Sequence, residues 1–212
     1  MSINDELWDA IVFGELDVVV RLVQNAVDND DDVVALLNIT MIPALREVGD
    51  LFSAGEVFIP EMLVAARAMQ GGIDIIEPLL AESGHQPVAK ICIGTVKGDQ
   101  HDIGKNLVTI MLKGAGFEVE DLGVDCQIAD FAAAVERGAK VVCLSALLST
   151  TRDAMRPVTE HFSDRDEIKI VVGGAVITQE YADAIGADGF GFDAADAVRA
   201  VRESLGLEAV PT

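Results

Sequence analysis

From residue 88 onward, short β-rich runs alternate with helical patterns, and this rhythm narrows the choice of fold more than any other feature of the sequence. The runs are Val88–Val96, Phe117–Leu122, Lys140–Leu144, Ile168–Val172 and Gly189–Phe192. Helical patterns follow each of them: Asp102–Ala115, Ile128–Arg137, Thr151–Phe162, Thr178–Ile185 and Ala194–Leu205. Strands joined by helices run parallel, because only a crossover returns the chain to the same edge, and the helices then cover both faces of the sheet. The right-handed crossover rule leaves few topologies, of which the flavodoxin-like (Rossmann-type) order is expected.

Residues 3–82 carry helical patterns alone. Leu7, Ala10 and Ile11 share one face, as do Leu16, Val19, Val20 and Val23. A third pattern runs from Val33, Val34, Leu36 and Leu37 to Leu45 and Val48, where Pro43 is expected to kink the helix or end a turn. Pro60 suits the first turn of a fourth helix carrying Met62, Leu63, Ala66, Met69, Ile73 and Ile76, since a missing N–H is harmless there. Short connections predict a small antiparallel four-helix bundle. Ser83-Gly84-His85-Gln86-Pro87 reads as a linker, which divides the chain into an α-helical domain, 1–86, and an α/β domain, 87–212.

Charge supports the same division. The net charge is −21, and residues 1–86 hold 16 acidic against 3 basic residues. Such a surface repels phosphate backbones and anionic lipid, which argues against nucleic acid and membrane as partners. No apolar run reaches the ~20 residues of a membrane span, and Met1–Asp9 lacks the basic, apolar character of a secretory signal. Cys92, Cys126 and Cys143 have no CxxC spacing and read as reduced core thiols of a cytoplasmic protein.

In open parallel sheets, ligands bind beyond the carboxyl ends of the strands where the strand order reverses. Three unusual segments fall there: Asp99-Gln100-His101-Asp102-Ile103-Gly104 after strand one, Ser145-Ala146-Leu147 after strand three, and Gly173-Gly174 after strand four. His101 offers a ring nitrogen to a metal, and Asp99, two residues earlier, can hold the other nitrogen and fix the tautomer. Gly104 removes a side chain at a helix start. Ser145 offers a hydroxyl and Leu147 an apolar wall, while Gly173 and Gly174 let a planar group approach the backbone. A cleft with small residues and one histidine suits a large cofactor with a metal and a tail better than a phosphorylated nucleotide, and neither a Walker loop nor GxGxxG is present.

Together, Asp99-x-His101-x-x-Gly104, Ser145-x-Leu147 and Gly173-Gly174 make the chain similar to cobalamin-binding proteins of the methyltransferase type. The resemblance covers nearly the whole chain. Its helical part is similar to the cap that precedes this domain in cobalamin-dependent methionine synthase, through Asp50-Leu51-Phe52 and Phe58-Ile59-Pro60. The layout most resembles free-standing corrinoid proteins that serve methylamine, methanol or methoxyaromatic methyltransferases. The resemblance implies a cobalamin or related corrinoid bound base-off, with His101 as the lower ligand of cobalt and Asp99 and Thr151 relaying protons behind it. It implies that Ser145, Leu147, Gly173 and Gly174 line the slot for the displaced nucleotide tail, that Ile103 and Gly104 also contact the cofactor, and that Phe52 and Ile59 cover its methyl-bearing face. The implied function is a methyl-carrier subunit: methyl passes from a substrate-specific methyltransferase, through cobalt, to a second methyltransferase acting on a thiol or a tetrahydrofolate-type acceptor, and a reductive activator serves the cycle.

Other readings share parts of this pattern. A response-regulator receiver needs an aspartate at the end of strand three and a lysine after strand five, where Ser145 and Asp193 stand. A cobalamin-dependent mutase subunit uses the same histidine motif but normally lacks the helical cap. A cobalamin sensor or carrier without methyl transfer is the alternative of a different class; it would bind the cofactor and show no turnover.

Overall fold

The structure, a computed structural model, describes residues 4–82 and 86–207. His85 of the expected linker lies outside the described residues. By contacts the chain forms two compact units: one runs up to Val88 and includes Ile110–Gly116, and the other comprises Ala89–Thr109 and the chain from Phe117 onward. The boundary drawn from the sequence, at 86, assigned all of 110–116 to the sheet domain, whereas contacts group that stretch with the helices.

The helical unit begins with α1 (Asp5–Val12), where the Asn4 side chain accepts from the Leu7 N–H and satisfies one of the free donors of the first turn. Leu7, Ala10 and Ile11 are buried, as their spacing predicts. Next, α2 (Leu16–Asp28) buries Val19, Val23 and Ala26 and leaves Val20 exposed. The third pattern is one continuous helical stretch with a defect: α3 (Val33–Leu36), a π-helical turn (Leu37–Met41), then α4 (Ile42–Ser53). The wide turn ends two residues before Pro43, whose ring and missing N–H disfavour an ordinary α-turn. The helix thus continues through the proline behind a widened turn. Finally, α5 (Ile59–Glu82) has Pro60 in its first turn, and the Glu61 carboxylate accepts from the Phe58 N–H at 2.8 Å, half of a capping box. It buries Met62, Ala66, Met69 and Ile76, while Leu63 is exposed. Pro78 lies inside this helix.

The second unit is a five-stranded parallel sheet: β1 (Lys90–Thr95), β2 (Glu118–Asp121), β3 (Val141–Ser145), β4 (Lys169–Gly173) and β5 (Gly189–Gly191). Its order is β2-β1-β3-β4-β5, the flavodoxin-like order. The connecting helices are α6 (Ile103–Gly114), α7 (Ile128–Glu136), α8 (Arg156–Phe162), α9 (Gln179–Ile185) and α10 (Ala194–Ser204). The expected helix over 151–162 is two pieces, a 3₁₀ turn at Arg152–Ala154 and then α8 with Pro157 in its first turn. The central strands are buried on both faces, which is why β1, β3 and β4 read as unbroken apolar runs. Phe131, Val142, Val172, Met155 and Phe162 form the core on one face. Each such side chain contributes about 1.5–3 kcal/mol by leaving water. Among the described residues, no helix is long and apolar enough to cross a membrane.

Candidate functional site

Four strands end in register: Thr95 of β1, Ser145 of β3, Gly173 of β4 and Gly191 of β5 are successive Cα partners. The strand order reverses between β1 and β3, so the loops leaving these two strands flank the crevice where such sheets take ligands. One loop carries Asp99 and His101; the other carries Leu147, Leu148 and Thr151.

Asp99 ties the two loops together. Its side chain is 0% exposed and accepts from five donors. Oδ1 takes the His101 N–H at 3.0 Å and His101 Nδ1 at 2.6 Å. Oδ2 takes the Leu147 N–H at 2.9 Å, the Leu148 N–H at 3.4 Å and the Thr151 hydroxyl at 2.6 Å. Thr95, at the end of β1, donates its hydroxyl to the His101 carbonyl at 2.9 Å and holds the histidine from behind. Burial alone would push the Asp99 carboxyl up. The hydrogen bonds from Thr151, the His101 ring, the His101 N–H and the Leu147 N–H outweigh it and hold the carboxyl well below the usual carboxylate range.

This electrostatic state fixes the imidazole. An ionised carboxylate only accepts, so Nδ1 of His101 must donate. In the neutral ring Nε2 then carries the lone pair, and the side chain as a whole is 49% exposed. A carboxylate behind the imidazole also makes it a stronger donor to a metal.

The surroundings are apolar. Among the described residues of the sheet unit, Ile103, Leu147, Leu148 and Phe192 are the exposed large hydrophobic side chains, and all lie beyond the carboxyl ends of β1, β3 and β5. Exposed apolar groups gathered at one edge mark a place where something binds. Gly104 has open space where a Cβ would stand, with nothing within 4 Å. Gly174 differs: its φ is +128°, and an added Cβ would lie 2.0 Å from the Ala146 carbonyl oxygen, so the fold itself requires glycine there.

Comparison with known proteins shows the family. A family model described as a B12 binding domain matches residues 89–202, and a second of the same description matches residues 3–77. A corrinoid protein of Desulfitobacterium hafniense is 41% identical over 97% of this chain and 99% of its own length. Dimethylamine corrinoid protein 1 of Methanosarcina acetivorans is 38% identical over 94% of this chain and 96% of its own. The chain belongs to the B12-binding corrinoid proteins. Among solved structures, a cobalamin-binding protein from Desulfitobacterium hafniense superposes with a TM-score of 0.77 at 28% identity, covering 93% of this chain and 96% of that one. The methanol:cobalamin methyltransferase complex MtaBC of Methanosarcina barkeri matches with a TM-score of 0.80 at 30% identity, covering 95% of this chain and 79% of that one.

Corrinoid binding goes with membership of this family, and the residues present fit the group. Among the described residues, no three His, Cys, Asp or Glu side chains are arranged to hold a metal ion. A single imidazole cannot keep a bare ion, but it can ligate a metal that arrives already chelated by a macrocycle. The open space at Gly104 and the apolar edge suit the bulk of such a cofactor.

The structure brings Asp99, His101, Leu147 and Thr151 into one bonded cluster and places Ser145 and Gly173 side by side in the strand row. Ile103 stands exposed at the start of α6. Phe52, half-buried in the last turn of α4, and Ile59, exposed at the start of α5, belong to the helical unit. Sequence reasoning gave Leu147 an apolar role and missed that its main-chain N–H holds Asp99. It also missed Leu148, Thr95 and Phe192. Backbone donors leave no mark in a sequence, but the polar Thr95 inside an apolar strand was a usable signal.

Proposed function

We propose that this protein carries a methyl group on the cobalt of a bound corrinoid, from a substrate-specific methyltransferase to a second methyltransferase acting on a thiol or a tetrahydrofolate-type acceptor. The cofactor is held base-off, with Nε2 of His101 as the lower ligand. The observation that carries this reading is the 2.6 Å bond from Nδ1 of His101 to an Asp99 whose other oxygen is already occupied, which leaves Nε2 as the free donor. Names of relatives support the methyl-transfer part: one is a dimethylamine corrinoid protein, and another is solved in a methanol:cobalamin methyltransferase complex.

When bound, the corrinoid supplies a metal that accepts and releases methyl; the protein supplies position and electronics. Asp99 keeps the Nδ1 proton in place and orients the ring. Thr151 connects the buried carboxylate to the loop surface. Ser145, Leu147, Gly173 and Gly174 line the slot for the nucleotide tail, Ile103 and Gly104 contact the cofactor, and Phe52 and Ile59 are assigned to its methyl-bearing face. A reductive activator is a further partner, and the compartment is the cytoplasm, which suits three buried free thiols.

The test is methyl transfer by the reconstituted protein with methylamine and methanol methyltransferases and their methylated substrates. Methylation of the bound corrinoid, followed by transfer to a thiol through a second methyltransferase, is expected. Stable cofactor binding with no methylation by any of these methyltransferases would instead make the protein a sensor or carrier.

A further inference from the structure

The end of β2 and the segment after it hold the stretch from Thr95 to Lys105 at five points. Thr95 N–H donates to the Gly123 carbonyl at 3.0 Å, and Cys126 N–H donates to the Thr95 carbonyl at 2.9 Å. Asp125 N–H donates to the Asp99 carbonyl at 3.0 Å, while the Asp125 carboxylate accepts from the Gly98 N–H at 2.7 Å. Further along, Lys105, whose side chain is 2% exposed, donates to the Asp121 carboxylate at 2.6 Å and to Asn106 Oδ1 at 2.7 Å. The main-chain bonds at Thr95 extend the sheet for one more step. The bonds from Asp125 and Asp121 do something else: they hold the chain on both sides of His101.

Asp125 holds its place in an uncommon backbone conformation. Its φ is +54°, in the left-handed region. Aspartate and asparagine tolerate that region better than other non-glycine residues. A residue kept there by its surroundings points to a local task. Here the conformation lets one residue face the loop twice, donating through its N–H to Asp99 and accepting through its side chain from Gly98. The adjoining residues 98–101 are the ones whose placement decides where the imidazole points, because Asp99 bonds both the ring and the main chain of His101.

We propose that Asp125 is a positioning residue for His101: it clamps Gly98 and Asp99 from the β2–α7 loop, with the Lys105–Asp121 pair as the second jaw of the clamp. The task assigned to His101 rests on the function proposed above, but the clamp itself is a property of the protein without cofactor. Asp125→Asn keeps both the left-handed preference and an oxygen acceptor. Asp125→Gly keeps the conformation and removes the acceptor. Asp125→Ala removes both.

The experiment measures amide hydrogen exchange of residues 98–105 by NMR in the cofactor-free full chain, alongside the histidine signature of the protein reconstituted with hydroxocobalamin. The His101 N–H, bonded to Asp99 and not to Asp125, is the decisive amide. Its exchange is expected to rise about tenfold in Asp125→Gly and in Asp125→Ala, the scale of one net hydrogen bond, and to return to within about twofold of wild type in Asp125→Asn. The fraction of bound cofactor carrying the histidine should fall in the same order. Acceleration confined to Gly98, or no acceleration in Asp125→Gly, overturns the clamp. If the wild-type protein shows no histidine on the metal, the functional reading fails, and the exchange of the His101 amide still decides the clamp.

Discussion

Asp99 decides the chemistry of this site at the level of single atoms. A buried carboxylate is stable only when its oxygens are satisfied, and here five donors from two loops satisfy them. Those donors make the group an anion that stays an anion, so the proton between it and His101 resides on the ring. Asp99→Asn would turn an amide N–H₂ toward the donors of one side, either those of His101 or the N–H groups of Leu147 and Leu148, and should lower stability by about 2–3 kcal/mol at pH 7. The loss has a pH signature. The carboxyl is lower in the folded protein than in the unfolded chain, so its contribution is complete above the unfolded value of about 3.9 and fades as pH falls below it toward the folded value. Urea denaturation of both proteins should therefore show a gap that is constant from pH 7 to about pH 5 and shrinks towards pH 3. A gap that does not change with pH would mean that Asp99 is not held ionised. The Asp-x-His pair was visible in the sequence because its spacing is two. What completes it was not visible, since three of the five donors are main-chain N–H groups.

At the scale of elements, the strand row Thr95–Ser145–Gly173–Gly191 turns remote sequence segments into one edge. The segments were legible because each follows an unmistakable apolar run, and parallel order sends all carboxyl ends the same way. The two roles of glycine were not separable from sequence. Gly174 is required by the Ala146 carbonyl, whereas Gly104 faces open space. Gly174→Ala should destabilise the protein by about 3 kcal/mol or more through the clash and the left-handed φ. Gly104→Leu should leave apoprotein stability within about 0.5 kcal/mol and weaken hydroxocobalamin binding at least about tenfold, since only a ligand would meet the new side chain. Thermal unfolding and a binding titration of both variants check this pair; equal binding by Gly104→Leu and wild type would remove Gly104 from the site. Lysine is rarely buried, so nothing in the sequence marked Lys105 as an interior anchor. The π-turn before Pro43 escaped the periodicity because five wide-turn residues do not break the apolar pattern.

The whole molecule combines an acidic helical unit with a sheet unit, and relatives align with both. The change of hydrophobic rhythm near residue 88 separated the two in the sequence, although contacts assign Ile110–Gly116 to the helical unit. The net charge of −21 fits proteins and a cofactor as partners better than nucleic acid or lipid. The central claim is that this chain grips a corrinoid through His101 and displaces the cofactor's own base. Electron paramagnetic resonance of the reconstituted full chain in the cobalt(II) state, prepared with natural-abundance and with ¹⁵N-labelled histidine, tests it most directly. Axial nitrogen from His101 predicts a superhyperfine triplet that becomes a doublet on labelling and disappears in His101→Gly. A triplet unchanged by labelling would place the benzimidazole on cobalt and contradict the account.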